Sequence, residues 1–135
     1  MNTLIRWLVV AGVGWGALAG GYHVWLQQHP HRLLVLLDTS FAMRDVMPRV
    51  PALLRGLEGQ PYTVYALETD KASVHDYADR LRPGRIDAYA PRRLAELAAR
   101  AAGAPFDQAD EVILVSNAPD SELDALPSRW RILRP

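Results

Sequence analysis

The sequence contains no cysteine and only one lysine, Lys71. Without cysteine the chain can form neither a disulfide bond nor a thiolate metal site. Its 15 basic residues balance 15 acidic residues, so the formal net charge is zero. A chain with no excess of positive charge has no long-range field that would attract nucleic acid. We therefore expect no nucleic-acid partner.

Length and hydropathy divide the chain into two parts. The 135 residues are 50% apolar, which is enough for one modest core and a membrane anchor. We predict an N-terminal transmembrane anchor with a short linker over residues 1–31. Residues 32–135 are predicted to form a single domain.

The predicted anchor is the segment Trp7–Leu26, which carries no Asp, Glu, Lys or Arg over the roughly 20 residues that span a bilayer as a helix. Tryptophan or tyrosine stands near both ends, where aromatic rings favour the membrane interface. The alternative is a cleaved signal peptide, with Arg6 as its charged start and Ala17–Ala19 as its cleavage site. Because the apolar run continues past that site, we expect the anchor to be retained.

The flanking charges indicate an orientation. Arg6 and the amino terminus precede the apolar segment, and the positive-inside rule places that end in the cytoplasm. We therefore expect a protein of the bacterial inner membrane, with a cytoplasmic N-terminus and a periplasmic domain.

Strand-like and helix-like patterns alternate through the second part. Strands are predicted over 33–37, 62–67, 72–78, 111–116 and 130–133, and helical segments over 51–57, 89–102 and 119–126. Such alternation predicts an α/β fold of Rossmann-like, doubly wound type. Its sheet is expected to be mainly parallel, with 72–78 as an antiparallel edge strand. Arg92, Arg93 and Arg100 are expected on the solvated face of the helix 89–102.

Polar side chains follow the two most apolar strands. Asp38, Thr39 and Ser40 come directly after the first strand, and Asn117 follows the strand that begins at Glu111. If these strands are parallel neighbours, their ends meet at one edge of the sheet, where α/β folds bind their ligands. The predicted partner-binding residues at this edge are Asp38, Thr39, Ser40, Phe41, Asp87, Asn117 and Asp120.

The order of these segments resembles a von Willebrand factor A domain. In that family D-x-S-x-S follows the first strand, an aspartate follows the fourth strand, and a loop threonine helps both to hold a divalent ion. Here the segment 36–43 is similar to the first motif and 112–117 to the last. The sequence departs from the pattern at Ala42, where the second serine belongs, and at Asn117, where the aspartate belongs. Asp87 lies near the position of the missing threonine.

The resemblance implies a degenerate metal-ion-dependent adhesion site. Asp38, Ser40 and Asn117 are the candidate ligands, and a set with one carboxylate is expected to bind Mg²⁺ weakly at most. The alternative is that Asp38 and Ser40 only cap the backbone that follows them. No cofactor is predicted beyond this ion.

Two enzyme classes are weighed beside a binding role. A PIN-type nuclease would need several carboxylates to hold its metal ions, and the candidates are Asp38, Asp107, Asp110 and Asp120. A haloacid dehalogenase-type phosphatase would use Asp38 as its nucleophile, but Ser40 stands where its acidic partner belongs. We expect instead a non-enzymatic, membrane-anchored scaffold domain with no catalytic residue. It is predicted to dock another envelope or membrane protein at the C-terminal edge of its sheet.

Overall fold

The computed structural model describes residues 2–135, which form two compact units. The first unit ends at Pro30, and the second runs from His31 to Pro135. The first unit is a single helix, α1 (Thr3–Gln28). Its most apolar window has a mean hydropathy of 1.4, so the helix is long and apolar enough to cross a membrane. Length and composition alone carry this assignment, and an N-terminal signal sequence has the same properties.

The second unit is built on one five-stranded sheet. Its strands are β1 (His31–Leu37), β2 (Thr63–Thr69), β3 (Ser73–Ala78), β4 (Glu111–Val115) and β5 (Arg131–Leu133). Their order across the sheet is β3-β2-β1-β4-β5. All neighbouring pairs are parallel except β2 and β3, which are antiparallel. This confirms an α/β fold with a mainly parallel sheet and an antiparallel strand at one edge.

Apolar side chains cover both faces of this sheet. Alternation along β1 directs Leu33, Val35 and Leu37 into one core, which also contains Leu54 of helix α2 (Val50–Leu57). Leu34 and Leu36 enter a second core on the opposite face, together with residues of helix α3 (Leu94–Arg100). The continuous apolar run that predicted β1 is therefore explained by burial on both faces.

The predicted helix 89–102 is wrong at its start, because α3 begins only at Leu94. Residues 89 and 90 form backbone hydrogen bonds with the loop after β1 instead. The Tyr89 N–H donates to the Thr39 carbonyl at 2.7 Å, and the Phe41 N–H donates to the Ala90 carbonyl at 3.0 Å. Ala90 has a φ of 65°, which does not belong to a right-handed helix. The segment before α3 is thus fastened to the C-terminal end of β1.

Candidate functional site

The C-terminal ends of β1 and β4 meet at one edge of the sheet, which we call the C-terminal edge. The parallel register pairs Leu37 with Val115, so the residues that follow these two strands are neighbours. The Asp38 N–H continues the pairing by donating to the Val115 carbonyl at 3.0 Å. The predicted juxtaposition of Asp38 and Asn117 rests on this register, and the structure confirms the parallel pairing.

The guanidinium of Arg92 lies between the two strand ends. Its Nε donates to Asp38 Oδ2 at 2.7 Å, and its Nη2 donates to Asn117 Oδ1 at 2.6 Å. Its Nη1 donates to Glu122 Oε2 at 2.8 Å, and Glu122 belongs to the short helix α4 (Asp120–Leu123). One cation thus binds three acceptors from three separate segments. This uses the fork of donors that distinguishes arginine from lysine.

Asp38 is fully buried, and both of its carboxylate oxygens accept hydrogen bonds. Ser116 Oγ donates to Oδ2 at 2.6 Å, and the Ser40 N–H donates to Oδ1 at 2.9 Å. Burial by itself raises the pKa of Asp38, but these hydrogen bonds and the Arg92 guanidinium outweigh it and hold the pKa below its ordinary value. Asp38 is therefore a stably ionised, fully paired carboxylate.

The expectation that Arg92 and Arg100 lie on a solvated helix face is wrong. The Arg92 side chain is only 13% exposed, because a buried carboxylate requires a counter-charge and this arginine supplies it. Arg100 is about one-third exposed and donates to the Thr69 carbonyl at 2.9 Å. Arg93 alone fits the expectation, with a half-exposed side chain near Glu96.

A second buried ion pair lies beside the first, where β2 ends. Asp70 Oδ2 accepts a hydrogen bond from Lys71 Nζ at 2.6 Å, and both side chains are less than 10% exposed. The Thr39 hydroxyl joins the pair by donating to Asp70 Oδ1 at 2.7 Å and accepting from Lys71 Nζ at 3.0 Å. The sequence patterns do not predict this pair, although the only lysine of the chain stands next to an aspartate just after a strand.

The candidate metal ligands do not fit a magnesium ion. Asp38 and Asn117 direct their oxygens at the Arg92 guanidinium, and Asp38 has no exposed surface. Ser40 Oγ is the one ligand left over, since it is buried without a hydrogen-bond partner among residues 2–135. Nor do the described residues contain any group of three His, Cys, Asp or Glu side chains placed to hold a metal. Mg²⁺ requires a near-octahedral shell of oxygen ligands that includes at least one available carboxylate. Asp38 is the only carboxylate among the three candidate ligands, and it is already bound to Arg92 and Ser116.

The capping alternative is partly confirmed. Asp38 accepts the hydrogen bond of the Ser40 N–H two residues on, which is the local turn that aspartate favours. Ser40 itself forms no side-chain cap on the 3-10 turn that follows it.

The carboxylates of the nuclease alternative are not brought together. Asp110 pairs with the Arg32 backbone at the start of β1, about 20 Å along the strand from Asp38. Asp120 is exposed and pairs with Arg134 at 2.6 Å, and Asp107 belongs to a 3-10 turn before β4.

The exposed part of the C-terminal edge carries two aromatic rings. Phe41 and Tyr89 are each about half exposed, and backbone hydrogen bonds join residues 39–41 to residues 89–90. The Arg44 guanidinium lies 5.5 Å from the centroid of the Phe41 ring, and Lys71 Nζ lies 5.1 Å from that of Tyr89.

A cavity of about 440 Å³ adjoins this region and is lined by Arg44, Met47, Pro48, Ile86, Asp87 and Ala88. We call Phe41, Tyr89, Arg44 and Asp87 the aromatic surface.

The predicted partner-binding residues separate into two groups. Asp38, Thr39 and Ser40 are buried, so they hold the edge together and present no surface to a partner. Phe41, Asp87 and Asp120 are exposed, and Asn117 is half-buried beneath Arg92. Tyr89 and Arg44, which sequence reasoning did not select, complete the exposed group.

Comparison of the chain with protein-family models, with curated proteins and with solved structures finds no match in any of the three. The geometry of the chain itself is therefore the basis on which a function is inferred.

The ionised state of Asp38 makes the stability of the domain depend on pH. A carboxylate whose pKa is lowered by folding contributes stability that is present above its unfolded pKa, about 3.9, and is lost as the pH falls through the folded pKa. We predict that the free energy of unfolding falls less steeply below about pH 4 in Asp38→Asn than in the unsubstituted chain. Urea unfolding between pH 2 and pH 7 measures this, with Asp124→Asn as the exposed control. Equal slopes for the two Asp38 forms would contradict the assignment.

The two buried serines of the site should respond differently to loss of their hydroxyls. Ser116 Oγ donates to Asp38 and accepts from the Ala118 N–H at 3.0 Å, so Ser116→Ala should lower the free energy of unfolding by about 1–3 kcal/mol. Ser40 Oγ has no hydrogen bond of good geometry and only helps to lower the pKa of Asp38, so Ser40→Ala should lower the free energy of unfolding by about 0.5 kcal/mol or less. Urea unfolding of both variants checks this. A Ser40 variant that loses as much stability as the Ser116 variant would mean that Ser40 Oγ has a partner.

Proposed function

We infer that this chain is a membrane-anchored, non-enzymatic interaction domain that docks another envelope or membrane protein at the aromatic surface. The observation that carries this proposal is the contrast between the two layers of the C-terminal edge. The buried carboxylates Asp38 and Asp70 are paired with Arg92 and Lys71, whereas the outer layer exposes two aromatic rings beside a cavity.

The pairing of the buried layer argues against a reaction centre. A nucleophile or general base must have a free lone pair or proton within reach of a substrate. Asp38 is fully buried and committed to Arg92 and Ser116, and Thr39 is buried between Asp70 and Lys71. Both enzyme alternatives would use Asp38, so neither is favoured.

The composition of the outer layer supports protein binding. Aromatic and arginine side chains are enriched where proteins bind one another, because they bury a large area at a small entropic cost. Phe41, Tyr89 and Arg44 supply this chemistry on one surface. The segments that carry them are joined by backbone hydrogen bonds, so a partner would meet a surface that is already ordered.

We further propose that the domain is a doubly wound, Rossmann-like member of the von Willebrand factor A type. Support comes from the parallel β1 and β4 pair, the antiparallel edge strand and the cores on both faces of the sheet. The ligand positions depart from that family, and the proposed docking therefore does not depend on its metal ion.

Helix α1 supports a tethering role for the first unit. A helix of this length and hydropathy would retain the domain at the bacterial inner membrane, with the N-terminus in the cytoplasm and the domain in the periplasm. Confinement to a membrane raises the effective concentration of a membrane-bound partner without any additional contact.

The absence of cysteine from the chain allows a direct test with single-cysteine variants. Phe41→Cys and Tyr89→Cys place a thiol on the aromatic surface, and Gln60→Cys places one on an exposed residue before β2, at the opposite end of the sheet. We predict that the first two thiols react several-fold more slowly with a maleimide in native bacterial membranes than in the purified chain in detergent, because the partner covers them.

The Gln60→Cys variant is the matched control and should react at similar rates in both preparations. In intact cells it should also react with a membrane-impermeant maleimide, provided that the outer membrane has been made permeable. Unchanged rates at residues 41 and 89 would contradict docking at the aromatic surface. Failure of residue 60 to react in intact cells would contradict the proposed orientation.

A further inference from the structure

Three side-chain oxygen atoms bind one cation, the Arg92 guanidinium. Asp38 Oδ2, Asn117 Oδ1 and Glu122 Oε2 lie 2.6–2.8 Å from three different nitrogen atoms of one guanidinium. They come from the segment after β1, the segment after β4 and helix α4. Oxygen atoms that converge from separate segments are also the usual surroundings of a hard divalent cation.

We propose that the Arg92 side chain is a built-in replacement for a divalent cation at the C-terminal edge, and that it excludes such ions from this position. This goes beyond the docking role, since it concerns which cation the edge accepts and holds whether or not a partner binds.

Hydrogen-bond capacity is the first support for this exclusion. Asp38 Oδ2 already accepts from Ser116 and from Arg92, and Oδ1 accepts from the Ser40 N–H. An ion that approached Oδ2 would have to displace one of these donors. Because Asp38 has no exposed surface, there is also no direct path to it from solvent.

Electrostatics is the second support. A divalent ion bound to Asp38 or Asn117 would lie within a few ångströms of the guanidinium and would be repelled by it. The side chain of Arg92 is largely buried, so water screens this repulsion poorly. The ion and the arginine therefore compete for the same acceptors.

The proposal is also consistent with the asparagine at residue 117, where the adhesion-site pattern has an aspartate. A site that holds a guanidinium needs an acceptor at residue 117, and the Asn117 amide supplies one while its Nδ2 donates to the Ala42 carbonyl at 2.6 Å. Removal of the guanidinium should leave the oxygen atoms of Asp38, Asn117 and Glu122 without the cation that they share.

Manganese binding to the full-length chain in detergent tests this. The unsubstituted chain should bind no Mn²⁺ at millimolar concentration, as measured by the electron paramagnetic resonance signal of the free ion. Arg92→Ala should gain a Mn²⁺ site with a dissociation constant of roughly 0.1–1 mM, the range of weak oxygen-ligand sites. Its melting temperature should rise with added Mn²⁺, and a second substitution, Asp38→Asn, should abolish both effects.

Arg93→Ala is the matched control, because Arg93 is the neighbouring arginine and its half-exposed side chain lies outside the site. It should bind no Mn²⁺. If Arg92→Ala does not fold, Arg92→Gln removes the charge while it keeps an amide donor for the acceptors, and it should gain the same site. The proposal is overturned if the unsubstituted chain binds Mn²⁺ in a manner that Asp38→Asn abolishes, or if folded Arg92→Gln gains no site.

Discussion

A carboxylate with no access to solvent has to be neutralised inside the domain, and the pairing of Asp38 with Arg92 meets this requirement. Ionised groups are costly to bury unless charge and hydrogen bonds are both satisfied. Arg92 supplies the charge, and Ser116 and the Ser40 N–H supply the remaining hydrogen bonds. Because the guanidinium also binds residues 117 and 122, it fixes the positions of the segments that follow β1 and β4.

The same interaction determines what the C-terminal edge presents to its surroundings. The segment before α3 must lie against the end of β1 for Arg92 to reach Asp38, and the backbone hydrogen bonds between residues 39–41 and 89–90 form there. Phe41 and Tyr89 belong to these hydrogen-bonded segments, and both are about half exposed. The buried ion pair therefore orders a surface that it does not itself reach. The second buried pair, Asp70 and Lys71, also supports this surface, because Lys71 Nζ lies 5.1 Å from the centroid of the Tyr89 ring.

The sheet was predictable from sequence because its signals are local. The apolar runs 33–37 and 112–115 predict burial on both faces, and their alternation with helical segments predicts that the strands are parallel. Arg92 was not predictable in this way, because its role depends on a contact 54 residues away in sequence. Helical periodicity after residue 89 favoured a longer helix, and tertiary hydrogen bonds at residues 89 and 90 override that preference. The useful signal was Asp38 itself, since a buried aspartate requires a cation from elsewhere in the chain.

A double-mutant cycle on Asp38 and Arg92 tests this account most directly. The free energy of unfolding is measured in urea for the full-length chain in detergent and for Asp38→Asn, Arg92→Gln and the double variant. Either single substitution should destabilise the domain, and the double variant should lose much less than the sum of the two, with a coupling energy of about 1.5–3 kcal/mol. Additive losses within about 0.5 kcal/mol would show that the two side chains do not interact, which would contradict the central claim.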